Sequence, residues 1–174
     1  MDERRIIRAC QENDFGAFEM IYQKYEQPLL RTALRMVKQQ QDAEDAVQTA
    51  FLKLYKNIRR FQYKSKFSTY LFRILINTCY DIINSKKRTE TVPIEDSDKP
   101  YFSSHELCLS LEKAVEKLPH QMRACFVLFA VEEFKQKDIA KILGISIGGV
   151  KSNIFHAKCR LREMLSDSLQ EKQK

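Results

Sequence analysis

Residues 136–162 constrain the fold more than any other stretch of this 174-residue chain. Ile139, Ala140, Ile142 and Leu143 make the apolar face of a short helix over 136–143. Gly144 stands where the chain must leave that helix, a position that favours positive φ. Ile145 can fill the core at the turn, and Ser146 can cap a second helix running from about 147 to 168. Val150, Ile154, Ala157, Leu161 and Leu165 then recur at helical spacing, and Ala140 is small where the two helices would cross. The pattern predicts a helix-turn-helix, whose second helix can lie in a major groove. Its outward side chains are Lys151, Ser152, Asn153, His156, Lys158 and Arg160, all able to bond phosphates or base edges. A helical hairpin with a solvated basic face is the plainer alternative. The coincidence of cap, glycine, small residue and exposed bases favours DNA.

The rest of the chain also reads as helix, and with four glycines and four prolines a turn-rich β fold is disfavoured. Clear organisation begins at 14–37, where Asp14 can cap a helix and Pro28 is expected to start or kink a second stretch. From Asp42, a plausible N-cap, Ala43, Ala46, Val47, Ala50, Phe51, Leu54 and Ile58 form one apolar stripe. Glu44, Asp45, Gln48 and Lys53 occupy its other face. After a loop over 61–68, Ser68 can cap a helix through Ile83 that ends on Lys86, Lys87 and Arg88. Residues 89–104, with two prolines and four acids against one base, read as an acidic linker. Beyond it, Ser103 to Glu106 could form a capping box, and Pro119 starts another helix. The expected architecture is all-α: two small helical domains, 1–88 and 105–174, joined by a flexible linker over 89–104.

Net charge is +7 overall, divided as +7, −3 and +3 among those three parts. A basic balance suits a polyanionic partner. Segment 61–88 adds aromatic and hydroxyl side chains (Phe61, Tyr63, Phe67, Ser68, Thr69, Tyr70) beside Lys64, Lys66 and Arg73, then Asn77, Asp81 and Asn84. Aromatics among bases suit unstacked single-stranded nucleic acid, although rings at helical spacing are also ordinary core. Five cysteines, an odd number without a C-x-x-C, suggest reduced thiols and a cytoplasmic setting. No apolar run is long enough for a membrane span, and the first residues lack a signal-peptide core.

The stretch Asp42-Ala-Glu-Asp-Ala-Val-Gln-Thr-Ala-Phe51, then Phe61, Phe67-Ser-Thr-Tyr-Leu-Phe-Arg-Ile74, Asn77 and Asp81, resembles region 2 of extracytoplasmic-function sigma factors. Leu118-Pro119, then Ile139-Ala140, Leu143-Gly144-Ile145-Ser146, Gly148, Val150-Lys151-Ser152 and Arg160-Leu161-Arg162, resembles their region 4. The resemblance implies a dissociable subunit of RNA polymerase. Glu44, Asp45, Gln48 and Lys53 would face the clamp of core polymerase. Phe61, Lys64, Phe67, Ser68, Thr69, Asn77, Asp81, Lys86, Lys87 and Arg88 would melt and hold the −10 element as single strand. Ser146 and the outward residues of the 147–160 helix would read the duplex −35 element, with region 4 also touching the polymerase flap. The acidic linker would thread the RNA exit path, and an anti-sigma factor would be a partner. Gly149, Asn153, Phe155, His156 and Lys158 depart from the more arginine-rich family pattern, and Tyr70 stands where a tryptophan is usual.

Nothing in the chain suggests an enzyme or a cofactor. The three histidines lie apart, and His105-x-x-Cys108 lacks a second pair of ligands. A free-standing helix-turn-helix regulator would share the C-terminal motif. It would leave the 42–58 helix and the aromatic, basic 61–88 segment without a task.

Overall fold

The computed structural model describes residues 3–89 and 106–171, with side chains described over 3–86 and 111–166. Among these residues the ordered secondary structure is helical throughout. The first half holds α1 (Glu3–Gln11), α2 (Phe15–Val37), α3 (Gln40–Asn57), a 3-10 turn (Ile58–Arg60) and α4 (Phe67–Thr89). The second half holds α5 (Glu106–Glu116), α6 (His120–Ala130), α7 (Gln136–Leu143) and α8 (Ile147–Glu171). Two helical units therefore flank residues 90–105, which lie outside the described residues and include Ser103, Ser104 and His105 of the expected capping box.

Asp14 caps α2 as expected, its Oδ1 accepting from the Ala17 N–H at 3.1 Å. Pro28 neither starts nor breaks a helix; α2 runs through it. A proline inside a helix removes one backbone bond. Here Tyr25, Leu29 and Ala33 on either side are buried in the same core and hold the helix together across it. At the end of α2 Lys38 adopts φ 70°, and its N–H donates to Leu34 O at 2.9 Å. That left-handed turn lets α3 fold back antiparallel.

The start of α3 differs from expectation. The helix begins at Gln40, with Gln39 as an N-cap that makes no side-chain bond. Asp42 sits inside the first turn, where its charge still favours the helix dipole. Likewise α4 begins at Phe67, with the Lys66 carbonyl accepting from the Tyr70 N–H at 3.1 Å, so Ser68 is not its cap. Helix α1 was not foreseen. It buries Ile7 and Cys10, and Gln11 Nε2 donates to Ile58 O and Phe61 O, both at 3.0 Å.

The alanines of the α3 stripe (Ala43, Ala46, Ala50) are fully buried, which lets α3 lie close to its neighbours α2 and α4. Leu29, Leu54, Leu71, Leu75 and Ile76 fill the space around them. Each such side chain contributes about 1.5–3 kcal/mol on burial. In the second half Gly144 adopts φ 66°, with its N–H on Ala140 O, and the Ser146 hydroxyl accepts from the Gly149 N–H at 3.0 Å. The predicted helix-turn-helix is thereby formed by α7 and α8.

The two halves are not separate bodies. One apolar cluster runs from Ile7 through Cys79 and on to Cys125, Leu128, Ile139, Ile142 and Ile154. Phe72 of α4 packs edge-on against Phe134, ahead of α7, with centroids 4.9 Å apart.

Candidate nucleic-acid and polymerase interfaces

Three faces carry the residues singled out by the sequence. The first is on α8, where the buried stripe Val150, Ile154, Ala157 and Leu161 turns the opposite side to solvent. Ser146, Lys151, Ser152, His156, Lys158 and Arg160 are exposed. Asn153 is half-buried, its Nδ2 donating to Gly149 O at 2.8 Å, so part of its bonding capacity is used within the helix. Lys158 Nζ lies 5.1 Å from the centre of the Phe129 ring, which draws it toward α6. Phe155 is 64% exposed at the middle of this face and meets the His156 ring edge-on, centroids 5.5 Å apart. Hydrogen-bonding groups around an exposed aromatic ring can meet both base edges and a thymine methyl.

The second face is the 61–66 loop with α4. Lys64 and Asn77 are exposed, and the Asp81 side chain is 74% exposed. Ser68 is half-buried. Phe61, Phe67 and Thr69 are buried, so in this structure their side chains build the floor of the loop and do not front solvent. Phe61 packs against Tyr63 at 4.9 Å and Tyr70 at 5.0 Å between centroids. Tyr63, at φ 58° and 38% exposed, is the ring that the loop presents outward. Lys86 is half-buried and bonds Asp42 Oδ2 at 2.6 Å and Gln39 Oε1 at 2.7 Å. The side chains of Lys87 and Arg88 lie outside the described residues.

The third face is the outer side of α3. Glu44, Asp45 and Gln48 are exposed, with Glu44 accepting from Gln40 at 2.6 Å. Lys53 turns away from them, donating to Thr78 Oγ1 at 3.0 Å and lying 3.5 Å from Asp81 Oδ2. It thereby joins α3 to the second face. Sequence reasoning missed the continuation of this side: Leu52 is 60% exposed, and Tyr55 stacks on the exposed Phe15 at 6.0 Å. The signal was present, because Asp45, Gln48, Leu52 and Tyr55 share one helical face outside the buried stripe.

Burial pushes the Cys79 thiol up to about 12 and the Cys125 thiol up to about 11, which keeps both protonated at neutral pH. Among the described residues no cluster of three His, Cys, Asp or Glu is placed to hold a metal ion. Cys108 and His105 fall outside the described side chains. None of the described helices is long and apolar enough to cross a membrane.

Known proteins share this arrangement. Residues 21–89 match the family Sigma-70 region 2, and residues 108–161 match Sigma-70, region 4. The chain is 29% identical over 167 residues to the ECF RNA polymerase sigma factor SigM of Mycobacterium tuberculosis, covering 94% of this chain and 84% of that one. It is 29% identical over 181 residues to the ECF RNA polymerase sigma factor SigW of Bacillus subtilis, covering 94% and 97% respectively. Its structure is similar to that of the sigma factor RpoE of Bartonella quintana, solved in complex with the anti-sigma factor NepR. The TM-score is 0.76 at 28% identity, over 86% of this chain and 96% of that chain. The two matched regions fall in order on the two helical units, and the chain belongs to the sigma-70 family as a sigma factor of the extracytoplasmic-function type.

Proposed function

We propose that this chain acts in the cytoplasm, joins core RNA polymerase, and reads two promoter elements with its two helical units. Helix α8 enters the major groove of the −35 duplex. Lys151, Ser152, His156 and Arg160 make the polar contacts, and Ser146 lies at the helix start near the phosphates. The 61–66 loop and α4 hold the melted −10 strand. Tyr63 and Tyr70 offer ring surface above Phe61, while Lys64, Ser68, Asn77, Asp81 and Lys86 surround the strand, with Lys87 and Arg88 continuing the basic run. Phe61, Phe67 and Thr69 support that loop from below. The α3 face with Glu44, Asp45 and Gln48 docks on the polymerase clamp, Lys53 bracing it from the α4 side. The C-terminal unit meets the flap, and no cofactor is needed.

The observation that carries this reading is the placement of two polar, base-bearing faces on separate halves of one chain. A free-standing regulator would need only the α8 face. An anti-sigma factor is a further partner, by analogy with the Bartonella quintana complex. The test is capture of purified core RNA polymerase by the chain, followed by abortive transcription from a promoter library. Stoichiometric capture with promoter-dependent initiation is expected. Specific duplex binding without polymerase capture would replace this reading by the free-standing regulator.

A further inference from the structure

Three arginines gather at one edge of the 61–66 loop. Arg59 and Arg60 stand in the 3-10 turn that leads into Phe61, and both are exposed. Helix α1 packs on α2 and on that turn. Gln11 fixes α1 there through its bonds to Ile58 O and Phe61 O, both at 3.0 Å. Arg8 is exposed on the same side of α1, three residues earlier and about 4.5 Å back along the helix axis. It precedes residue 21, where the match to region 2 begins.

The donors of these side chains are unspent. Among the described residues Arg8, Arg59 and Arg60 make no ion pair and no side-chain hydrogen bond. Their places near the C-termini of α1 and α3 suit the helix dipoles, which a charge alone satisfies. The acids of α1 do not offset them. Glu3 turns to α2, accepting from Lys24 Nζ at 2.6 Å and Tyr25 Oη at 2.8 Å, and Glu12 is exposed. Lys66, at the other end of the loop, faces α7, with Nζ 3.7 Å from Asp138 Oδ2. Like charges gathered on one edge repel, and a polyanion relieves that repulsion. A guanidinium is a planar fork of donors that fits two phosphate oxygens at once, which an ammonium does not.

We infer that Arg8, Arg59 and Arg60 form a phosphate-binding edge that holds the backbone of the melted strand where it leaves the 61–66 loop. The inference rests on the sigma-factor reading above and adds to it a contact without base specificity. The groups already assigned to the strand follow the length of α3. Lys86 lies at its first turn, beside Asp42. Asp81 lies further along, 3.5 Å from Lys53, and Tyr70 meets Phe61 just past its end. Arg59 and Arg60 flank that last contact, and Arg8 carries the same line onto α1. A strand laid along these groups meets ring surface at Tyr63 and Tyr70 and then three guanidinium groups, the order in which stacking and charge hold single-stranded nucleic acid.

The test uses the full chain bound to core polymerase and a promoter recovered from the initiation library, with DNA affinity measured across a salt series. The variants are Arg8→Gln and the pair Arg59→Gln with Arg60→Gln. Arg5→Gln is the control, since Arg5 is exposed beside a separate hollow with Ile6, Ala9 and Met20. The slope of log affinity against log salt should fall by about 0.7 for Arg8→Gln and about 1.4 for the pair, with Arg5→Gln unchanged. Replacing single phosphates of the strand by neutral methylphosphonates should weaken the wild type at positions next to the −10 element, and the variants should be indifferent there. Slopes equal to wild type, with only the melting temperature lowered, would reduce the three arginines to helix-dipole partners and overturn the inference. An equal fall for Arg5→Gln would overturn it too, by showing diffuse attraction in place of an edge. Failure of the chain to capture polymerase would remove the sigma-factor reading instead. The same slopes, measured for the chain alone on oligodeoxythymidine, would then decide whether the edge binds phosphate.

Discussion

Lys86 Nζ stands 2.6 Å from Asp42 Oδ2, tying the end of α4 to the first turn of α3. The Asp42 side chain is only 16% exposed and that of Lys86 is 37% exposed, so the pair is better shielded than a surface bridge. It links the helix proposed to dock on polymerase with the basic end of the helix proposed to hold the −10 strand. Asp42→Asn should lower stability by about 1 kcal/mol, read as a shift of the urea midpoint. An unchanged midpoint would mean the pair is broken in solution.

On α8 the structure separates two lysines that the sequence treats alike. Lys151 is fully outward, whereas Lys158 leans over Phe129. Lys151→Ala should weaken −35 duplex binding and lower the salt slope by about 0.9. Lys158→Ala should lower it less. Equal slopes for wild type and Lys151→Ala would place this helix away from the phosphates.

Phe155 should read a thymine methyl. Replacing thymines of the −35 duplex one at a time by deoxyuracil should cost the wild type about 1 kcal/mol at one position, and Phe155→Ala should lose that difference. Indifference of the wild type at every thymine would refute the contact.

Within the loop, floor and surface should separate. Phe61→Ala and Phe67→Ala remove buried rings and should lower stability by about 3–5 kcal/mol, visible by thermal melting. Tyr63→Ala and Asn77→Ala should leave the melting temperature nearly unchanged while impairing open-complex formation more than polymerase binding. Permanganate footprinting of the melted strand, beside a polymerase-binding curve, measures the split.

Glu132 offers a test by pH. Burial pushes its carboxyl up, against the opposing effects of the Thr32 hydroxyl and the Arg31 and Arg35 charges. A carboxyl raised in the folded state stabilises the fold fully below the ordinary carboxylate range, and that contribution is lost as pH rises through the folded value. Glu132→Gln should therefore raise the melting temperature at neutral pH, with the advantage shrinking in acid. A lower melting temperature at neutral pH would show that Arg31 holds the charged form.

Much of this architecture could be read before any coordinates. Gly144, Ser146 and the stripe from Val150 to Leu161 marked the helix-turn-helix because local backbone chemistry and helical period agree there. Asp42 and Ser68 misled as caps because each suits an N-terminus by type, while α3 already begins at Gln40 and α4 at Phe67. Phe61 and Phe67 could not be told from surface rings, since an aromatic beside lysines looks the same in sequence whether it faces the core or a base. The junction between the halves was out of reach. It depends on Arg123 meeting carbonyls 87 residues away, and a backbone acceptor carries no sequence signature.

The fully buried alanines of α3 have a consequence for how such a chain can diverge. Any larger side chain at Ala43, Ala46 or Ala50 would wedge α3 away from α2 and α4, shifting the outer face of α3 relative to the loop and Asn77. Overfilling a packed core of this kind costs about 1–3 kcal/mol, before any effect on alignment. Outward positions on α8 face no such constraint. Variation that retunes which promoters are recognised is thus open at Lys151, Ser152, Phe155 and His156, whereas the spacing between the α3 and α4 faces is held by three methyl groups.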